Sequence, residues 1–431
     1  MKVWRKRAIS FTITSMNILS KLAISMIFVG LSGCINSTPK DPMEQLIQPY
    51  WRASSEEQLQ TQAKAILDSQ VSTEELYQQL KTGPHFDNGV ERGEIQGSRI
   101  GSDKKEYPYT LLIPDSYDAQ HPISVEFNLH GGVNRAKPEP GQSYWRNGNQ
   151  QFADPNRIIV LPGAWNETYW WFSNQAENIK AILNEVKQRY NVDDNRVYLT
   201  GVSDGGTGSF FFAFKQPSEW AAFLPYIGNP GVLSNRASSQ RHILFYENLK
   251  GKPLFIVNTE NDQLYPARAV QKHIDPMLEH GIDHTFTVIP NGGHNTRWLP
   301  ELKPEIEAFK AASIRDPLPD SLVWTTNQVA HYNRNHWLVI EQIRAQGEPA
   351  TIEIKRRGNT FDVETNYVRK FSLLLNPEEV DFSRPIVVNI NGEEVHKQLI
   401  EQSSATLLKW AAIDRDRTML FTAELTLQTP Q

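Results

Sequence analysis

The segment Val197-Tyr198-Leu199-Thr200-Gly201-Val202-Ser203-Asp204-Gly205-Gly206-Thr207-Gly208-Ser209-Phe210-Phe211-Phe212 reads as a strand, a glycine-rich corner and a helix. Val197 to Thr200 is an apolar strand, and a helix opening at Gly205 carries the three phenylalanines. Between them Gly201-Val202-Ser203-Asp204-Gly205 fits G-x-S-x-G. The glycines let the chain turn sharply and let the helix lie close to the strand. The serine is then held on a strained corner with its oxygen exposed at the carboxyl edge of a sheet. A serine hydroxyl is a poor nucleophile at neutral pH and needs a base.

Outward from that corner, strands alternate with helices. Tyr109 to Ile113, Ile123 to Leu129, Arg157 to Leu161, Leu254 to Asn258 and Thr285 to Ile289 read as strands. Ala176, Ile179, Leu183, Val186 and Tyr190 trace a helical stripe, and Ala267 to Glu279 and Leu302 to Ser313 read as helices. The alternation predicts an α/β fold with a mostly parallel sheet over residues 105–315.

Three strand ends carry the remaining chemistry. His130-Gly131-Gly132 closes one strand, and small residues there let backbone N–H groups face the serine's edge. With the N–H of Asp204, one of Gly131, Gly132 or Val133 would form an oxyanion hole, each donor contributing roughly 3 kcal/mol. Asp262 follows the strand ending at Asn258, where a carboxylate can orient a histidine; Glu260 is the alternative acid. His294 follows Pro290-Asn291-Gly292-Gly293 after the last strand, placed to act as base, whereas His284 precedes that strand and belongs at the opposite edge.

The chain order Ser203, Asp262, His294 is that of the α/β-hydrolase fold. Residues 105–315 resemble that superfamily. Val192-Asp193-Asp194-Asn195-Arg196-Val197-Tyr198 leading into the G-x-S-x-G corner is similar to the polyhydroxybutyrate-depolymerase and feruloyl-esterase branch, and to prolyl-oligopeptidase-like peptidases. The resemblance implies an eight-stranded sheet, Ser203 as nucleophile, His294 as base, Asp262 as acid, and neither a metal nor an organic cofactor. Asp204 departs from the esterase branch, where an uncharged residue is common. So does the lack of the cysteines that bridge its secreted members. Trp165, Tyr169, Trp170 and Trp171 follow another strand, and loops at such ends line ligand crevices. Trp165, Trp170 and Trp171 are read as a stacking platform for a sugar or an aromatic acyl group, against the alternative that they pack over the sheet edge. Asn134, Arg135, Tyr144 and Trp145 are read as one wall of the site.

Flanking this region are three further segments. Residues 1–33 hold five basic residues (Lys2, Arg5, Lys6, Arg7, Lys21), no acid, and an apolar run from Leu22 to Leu31 too short to span a bilayer. Leu31-Ser32-Gly33-Cys34 resembles the bacterial lipobox, which implies lipidation of Cys34, a membrane anchor, and residence in the cell envelope (outer membrane or periplasm-facing in a Gram-negative host). Residues 34–104 are read as a tether to residue 53 followed by two helices opening at the capping boxes Ser54-x-x-Glu57 and Ser72-x-x-Glu75. Residues 316–431 show period-two alternation and an Asn391-Gly392 hairpin turn, which predicts a small all-β, sandwich-like domain.

Composition bounds the rest. Of 431 residues, 39% are hydrophobic and 22% charged, which is globular. The net charge is −5, and without the five basic residues of the leader it is −10, so the acidic body argues against binding nucleic acid. A single cysteine excludes a disulfide framework and a zinc site built on several thiolates. The sequence therefore predicts a lipid-anchored serine hydrolase acting on a carboxylic ester, with polymers among the candidate substrates. Its rivals are a serine peptidase on the same triad and a non-catalytic surface lipoprotein that binds glycans.

Overall fold

The computed structural model describes residues 42–139, 142–236, 238 and 240–430. The leader and Cys34 lie outside the described residues. Among those described, no helix is long and apolar enough to cross a membrane.

Eight strands form one sheet in the order β1-β2-β4-β3-β5-β6-β7-β8. They are β1 (Gly93–Ile100), β2 (Glu106–Ile113), β3 (Ile123–Leu129), β4 (Arg157–Pro162), β5 (Val192–Val202), β6 (Ala222–Tyr226), β7 (Leu254–Thr259) and β8 (His284–Ile289). β2 runs antiparallel to both its neighbours; every pair from β4 to β8 is parallel. Parallel strands are buried on both faces, which explains their near-continuous apolar runs. Leu199, Phe223 and Ile256 face a core shared with α4 (Ser173–Arg189), α5 (Asp204–Lys215) and α6 (Ala267–Glu279). Tyr198, Leu224, Phe255 and Val257 alternate to the other face and meet α7 (Leu299–Ala312). Each such buried side chain contributes about 1.5–3 kcal/mol.

The sheet begins at Gly93, not at residue 105. β1 buries only Ile95, its other positions being exposed or half-buried, and it carries Gly93 and Gly97, so it lacks the apolar signal of a core strand. β6 also went unread from sequence because Pro225 lies inside it. Phe223 donates its N–H to Pro253 and Ile227 to Val257, on the β7 side. Pro225, midway between them, has no N–H to give, and β6 pairs with β7 at Phe223–Leu254 and Tyr226–Val257.

Residues 42–52, read as tether, are helix α1 (Pro42–Arg52). Pro42 sits in its first turn, and Met43, Ile47, Tyr50 and Trp51 are buried despite Pro49 inside the helix. α2 (Glu56–Asp68) is capped by Ser55 rather than Ser54, while α3 (Thr73–Thr82) is capped by Ser72 as the capping box predicts. These three helices share a core with α8 (Ser404–Asp414).

The C-terminal region holds two further sheets that bury residues in a common core. The first, β10-β11-β14-β17, comprises β10 (Arg334–Asn335), β11 (Leu338–Ile343), β14 (Val368–Leu375) and β17 (Ala423–Gln428). The second, β16-β15-β13-β12-β9, comprises β9 (Ser321–Thr326), β12 (Ala350–Arg357), β13 (Thr360–Asn366), β15 (Ile386–Ile390) and β16 (Glu393–Gln398). β15 and β16 meet at Asn391-Gly392, both with positive φ (51° and 88°), as a tight hairpin turn requires. Helix α8 is an addition to the strands the sequence pattern revealed.

Candidate active site

Ser203 links β5 to α5 with φ 58° and ψ −118°. A non-glycine residue held there costs of order 1–3 kcal/mol and persists only where its surroundings over-determine it. Two contacts do so: its N–H donates to Tyr226 O at 2.9 Å, and its carbonyl accepts from Thr207 N at 2.9 Å. The neighbouring glycines are needed for space. A Cβ on Gly201 would lie 2.0 Å from Gly205 O, and one on Gly205 would lie 1.9 Å from Leu129 O.

His294 arrives from the loop after β8, and β7 fastens that loop. Asn261 N–H donates to Gly292 O at 2.8 Å, and the Thr259 hydroxyl donates to Gly293 O at 3.0 Å. The imidazole Nε2 lies 2.8 Å from Ser203 Oγ, and Nδ1 lies 2.7 Å from Asp262 Oδ2. Asp262 is buried, and its Oδ1 accepts the N–H groups of Leu264 and Tyr265, both at 2.8 Å. A carboxylate so held accepts from Nδ1–H and leaves Nε2 free to accept from the serine hydroxyl. Glu260 instead accepts from Asn291 N–H at 2.9 Å and stays outside this chain of contacts.

The His130-Gly131-Gly132 turn lies against the serine. A Cβ on Gly131 would stand 2.8 Å from Ser203 Cβ, and Gly132 turns the chain at φ 67°. Val133 N–H is committed to Asp204 Oδ2 at 3.0 Å. Among the described residues, the N–H groups of Gly131, Gly132 and of Asp204, first in α5, donate to no acceptor. His130 is structural. Its Nε2 accepts Ala164 N–H at 3.0 Å, so the proton sits on Nδ1 and is donated to Gly131 O at 2.9 Å. Burial drives its pKa down to about 3, which keeps the ring neutral.

The tryptophans do not form a stacking platform. Trp165, Trp170 and Trp171 are all buried. Trp170 donates Nε1–H to His130 O at 2.8 Å and fills the space over Gly208. Trp165 packs on Tyr107, and Trp171 on Tyr169. An apolar loop at a strand end is buried more favourably as a brace than left as an open surface. Of that loop, Tyr169 is half-buried and donates its hydroxyl to Asn134 Oδ1 at 2.9 Å. Tyr144 stacks on His130 with ring centroids 4.7 Å apart, and Trp145 packs on Phe152. Both line a separate cleft of about 260 Å³ beside β1 and β2, and the Ser203–His294 pair lies outside it. No group of three His, Cys, Asp or Glu side chains among the described residues is placed to hold a metal ion.

Residues 100–297 match the profile of the Dienelactone hydrolase family. The central domain has the α/β-hydrolase fold. This chain is 33% identical over 132 residues to "Probable feruloyl esterase C" of Aspergillus niger, covering 29% of this chain and 47% of that protein. It is 25% identical over 175 residues to a bifunctional acetylxylan esterase/xylanase of Neocallimastix patriciarum, covering 40% of this chain and 23% of that one. The match thus spans under half the length of these relatives. A solved ferulic acid esterase from Anaeromyces mucronatus is similar over 53% of this chain and 93% of its own, at 15% identity and a TM-score of 0.40.

Within the hydrolase domain, sequence reasoning missed Tyr265. Its N–H holds Asp262, its hydroxyl donates to Asp204 Oδ1 at 3.2 Å, and its ring stands edge-on to His294 at 5.9 Å. An aspartate commonly accepts from N–H groups two or three residues on, and that turn chemistry was the available signal.

Proposed function

We propose that the chain hydrolyses carboxylic esters through an acyl-enzyme on Ser203. The observation that carries this reading is the continuous path from Ser203 Oγ through both imidazole nitrogens of His294 to the buried Asp262 carboxylate. His294 Nε2 takes the proton of Ser203 as Oγ bonds to the acyl carbon. The carbonyl oxygen gains the negative charge and is met by the N–H groups of Gly132 and Asp204. Collapse expels the alcohol, which leaves with the proton from Nε2. Water then gives a proton to Nε2 and adds its oxygen to the acyl carbon, and the acid departs as Ser203 recovers its hydrogen. The names of the relatives, feruloyl esterase and acetylxylan esterase, support an ester over an amide as the bond cleaved.

Lipidation of Cys34 is proposed on the lipobox residues alone: it would hold this domain at a membrane of the bacterial envelope. The test of the chemistry is turnover on a panel of acetyl, hydroxycinnamoyl and longer-chain p-nitrophenyl esters alongside aminoacyl-p-nitroanilides. Ser203→Ala should lower ester turnover at least ~10^4-fold with an unchanged melting curve. Wild-type protein should be labelled by a fluorophosphonate probe. Full turnover by the variant would end the assignment, and preference for the anilides would replace esterase with peptidase.

A further inference from the structure

Asp204, one residue beyond the nucleophile, places a carboxylate beside the region where negative charge develops during acyl transfer. An unconstrained anion there would oppose the reaction, yet this carboxylate is not free. Its Oδ2 accepts Val133 N–H at 3.0 Å, directly after His130-Gly131-Gly132, and its Oδ1 accepts the Tyr265 hydroxyl at 3.2 Å. Val133 is fully buried, so the strap it anchors is fixed from behind as well. Tyr265 in turn donates its N–H to Asp262, which holds His294. Ser203, His294, Asp262, Tyr265, Asp204 and Val133 thus form one hydrogen-bonded circuit, with backbone joining Asp204 to Ser203.

We infer that Asp204 is a positioning residue: its carboxylate clamps the glycine strap to the acid loop and so aims the Gly132 N–H at the developing oxyanion. The clamp sits on the side of the strap that cannot reach substrate, because Val133 N–H is spent on it. Gly132, at φ 67°, is the pivot between the clamped residue and Gly131, which touches the serine. Unclamped, the strap keeps its sequence and loses its aim. This inference rests on the acyl-enzyme reading above.

Loss of aim is felt in the transition state more than in substrate binding. Asp204→Ala should lower kcat for a p-nitrophenyl ester about 10²-fold, in the range for one misplaced oxyanion donor, with KM within about twofold. Affinity for a trifluoromethyl ketone, which forms a tetrahedral oxyanion on serine, should fall in parallel. Asp204→Asn should recover about tenfold of that loss, since its amide oxygen accepts Val133 N–H and its NH₂ donates to the Tyr265 oxygen. Tyr265→Phe should cost about tenfold in kcat, and it stands in if Asp204→Ala does not fold. Full kcat in Asp204→Ala or Tyr265→Phe overturns the inference, as does an asparagine variant as impaired as the alanine one, which would point to a need for the charge itself. Fluorophosphonate labelling separates the two failures. Wild-type protein that takes no label refutes the acyl-enzyme reading; labelled wild type with a full-rate Asp204→Ala refutes only the clamp.

Discussion

Two buried aspartates face opposite kinds of partner in this molecule. At the carboxyl edge of the eight-stranded sheet, Asp262 faces an imidazole and two backbone N–H groups. At the seam between that domain and the C-terminal sheets, Asp416 faces Arg315 at 2.7 Å and Lys187 at 3.5 Å. Burial would raise the Asp416 pKa, but Arg315 and Lys187 outweigh it and hold the carboxyl below its usual range. Arg315 completes the lock by donating to Ser218 O and to the side chains of Asn195 and Thr418. A guanidinium does not give up its proton, so the seam is a fixed ionic joint. An imidazole can, so on the proposed acyl-enzyme reading the edge is a relay. The partner, not the carboxylate, decides whether a buried acid stores stability or, on the proposed reading, orients the imidazole that carries a proton.

The sharpest way to break the comparison is to spoil each aspartate in turn. Asp262→Asn should lower kcat about 10^4-fold, because an amide oriented toward Nδ1 no longer favours the tautomer whose Nε2 accepts from Ser203. The melting temperature should change little. Asp416→Ala should do the reverse. It leaves Arg315 buried without its anion and should cost about 3–5 kcal/mol of stability, read by urea unfolding. Activity per folded molecule, measured by active-site titration, should stay within twofold. Equal damage to both properties in either variant would dissolve the distinction.

How far this division was legible in the sequence follows from range. The G-x-S-x-G corner, the His130-Gly131-Gly132 turn and the positions of Asp262 and His294 were legible because each stands at a strand end beside local turn residues. The seam was not. Arg315 meets Asp416 across 101 residues and Arg417 meets Asp194 across 223, and no local pattern marks either pair. Trp165, Trp170 and Trp171 misled for a related reason: their placement after β4 is right for a ligand wall, and the cavities they fill belong to distant elements such as Gly208. Val133's contact with Asp204 was equally hidden, and it is this fold-dependent bond that removes Val133 from the three oxyanion candidates.

A pH series sharpens the description of the seam. Lys252 Nζ lies 3.3 Å from Asn335 Oδ1 and 3.4 Å from His336 Nδ1. Burial first, then repulsion by Arg315, pushes its pKa down to about 7, with Asp316 and Glu219 only partly opposing. The unfolded lysine titrates near 10.4. Between those values the unfolded chain binds a proton that the folded chain does not, so stability rises with pH across the window and is lost as pH falls toward 7. The slope from this one group is at most about 1.4 kcal/mol per pH unit. Urea unfolding at pH 7, 8 and 9 should therefore show wild type gaining more with pH than Lys252→Met; parallel curves would mean that the ammonium stays charged in the fold.

The smallest expected effect tests which acid belongs to the relay. Glu260 lies two residues before Asp262 at the end of the same strand, and in sequence it competes for the same role. Its carboxylate is exposed and, among the described residues, accepts only the Asn291 N–H at the turn that carries the His294 loop. Glutamine keeps an oxygen for that bond and removes the charge. Glu260→Gln should thus leave kcat within twofold and stability within about 0.5 kcal/mol, as for a surface exchange. A loss of more than tenfold would mean that the charge at 260 reaches the imidazole through the loop. The relay would then have two acids, and the contrast with the single, locked Asp416 would have to be redrawn around their sum.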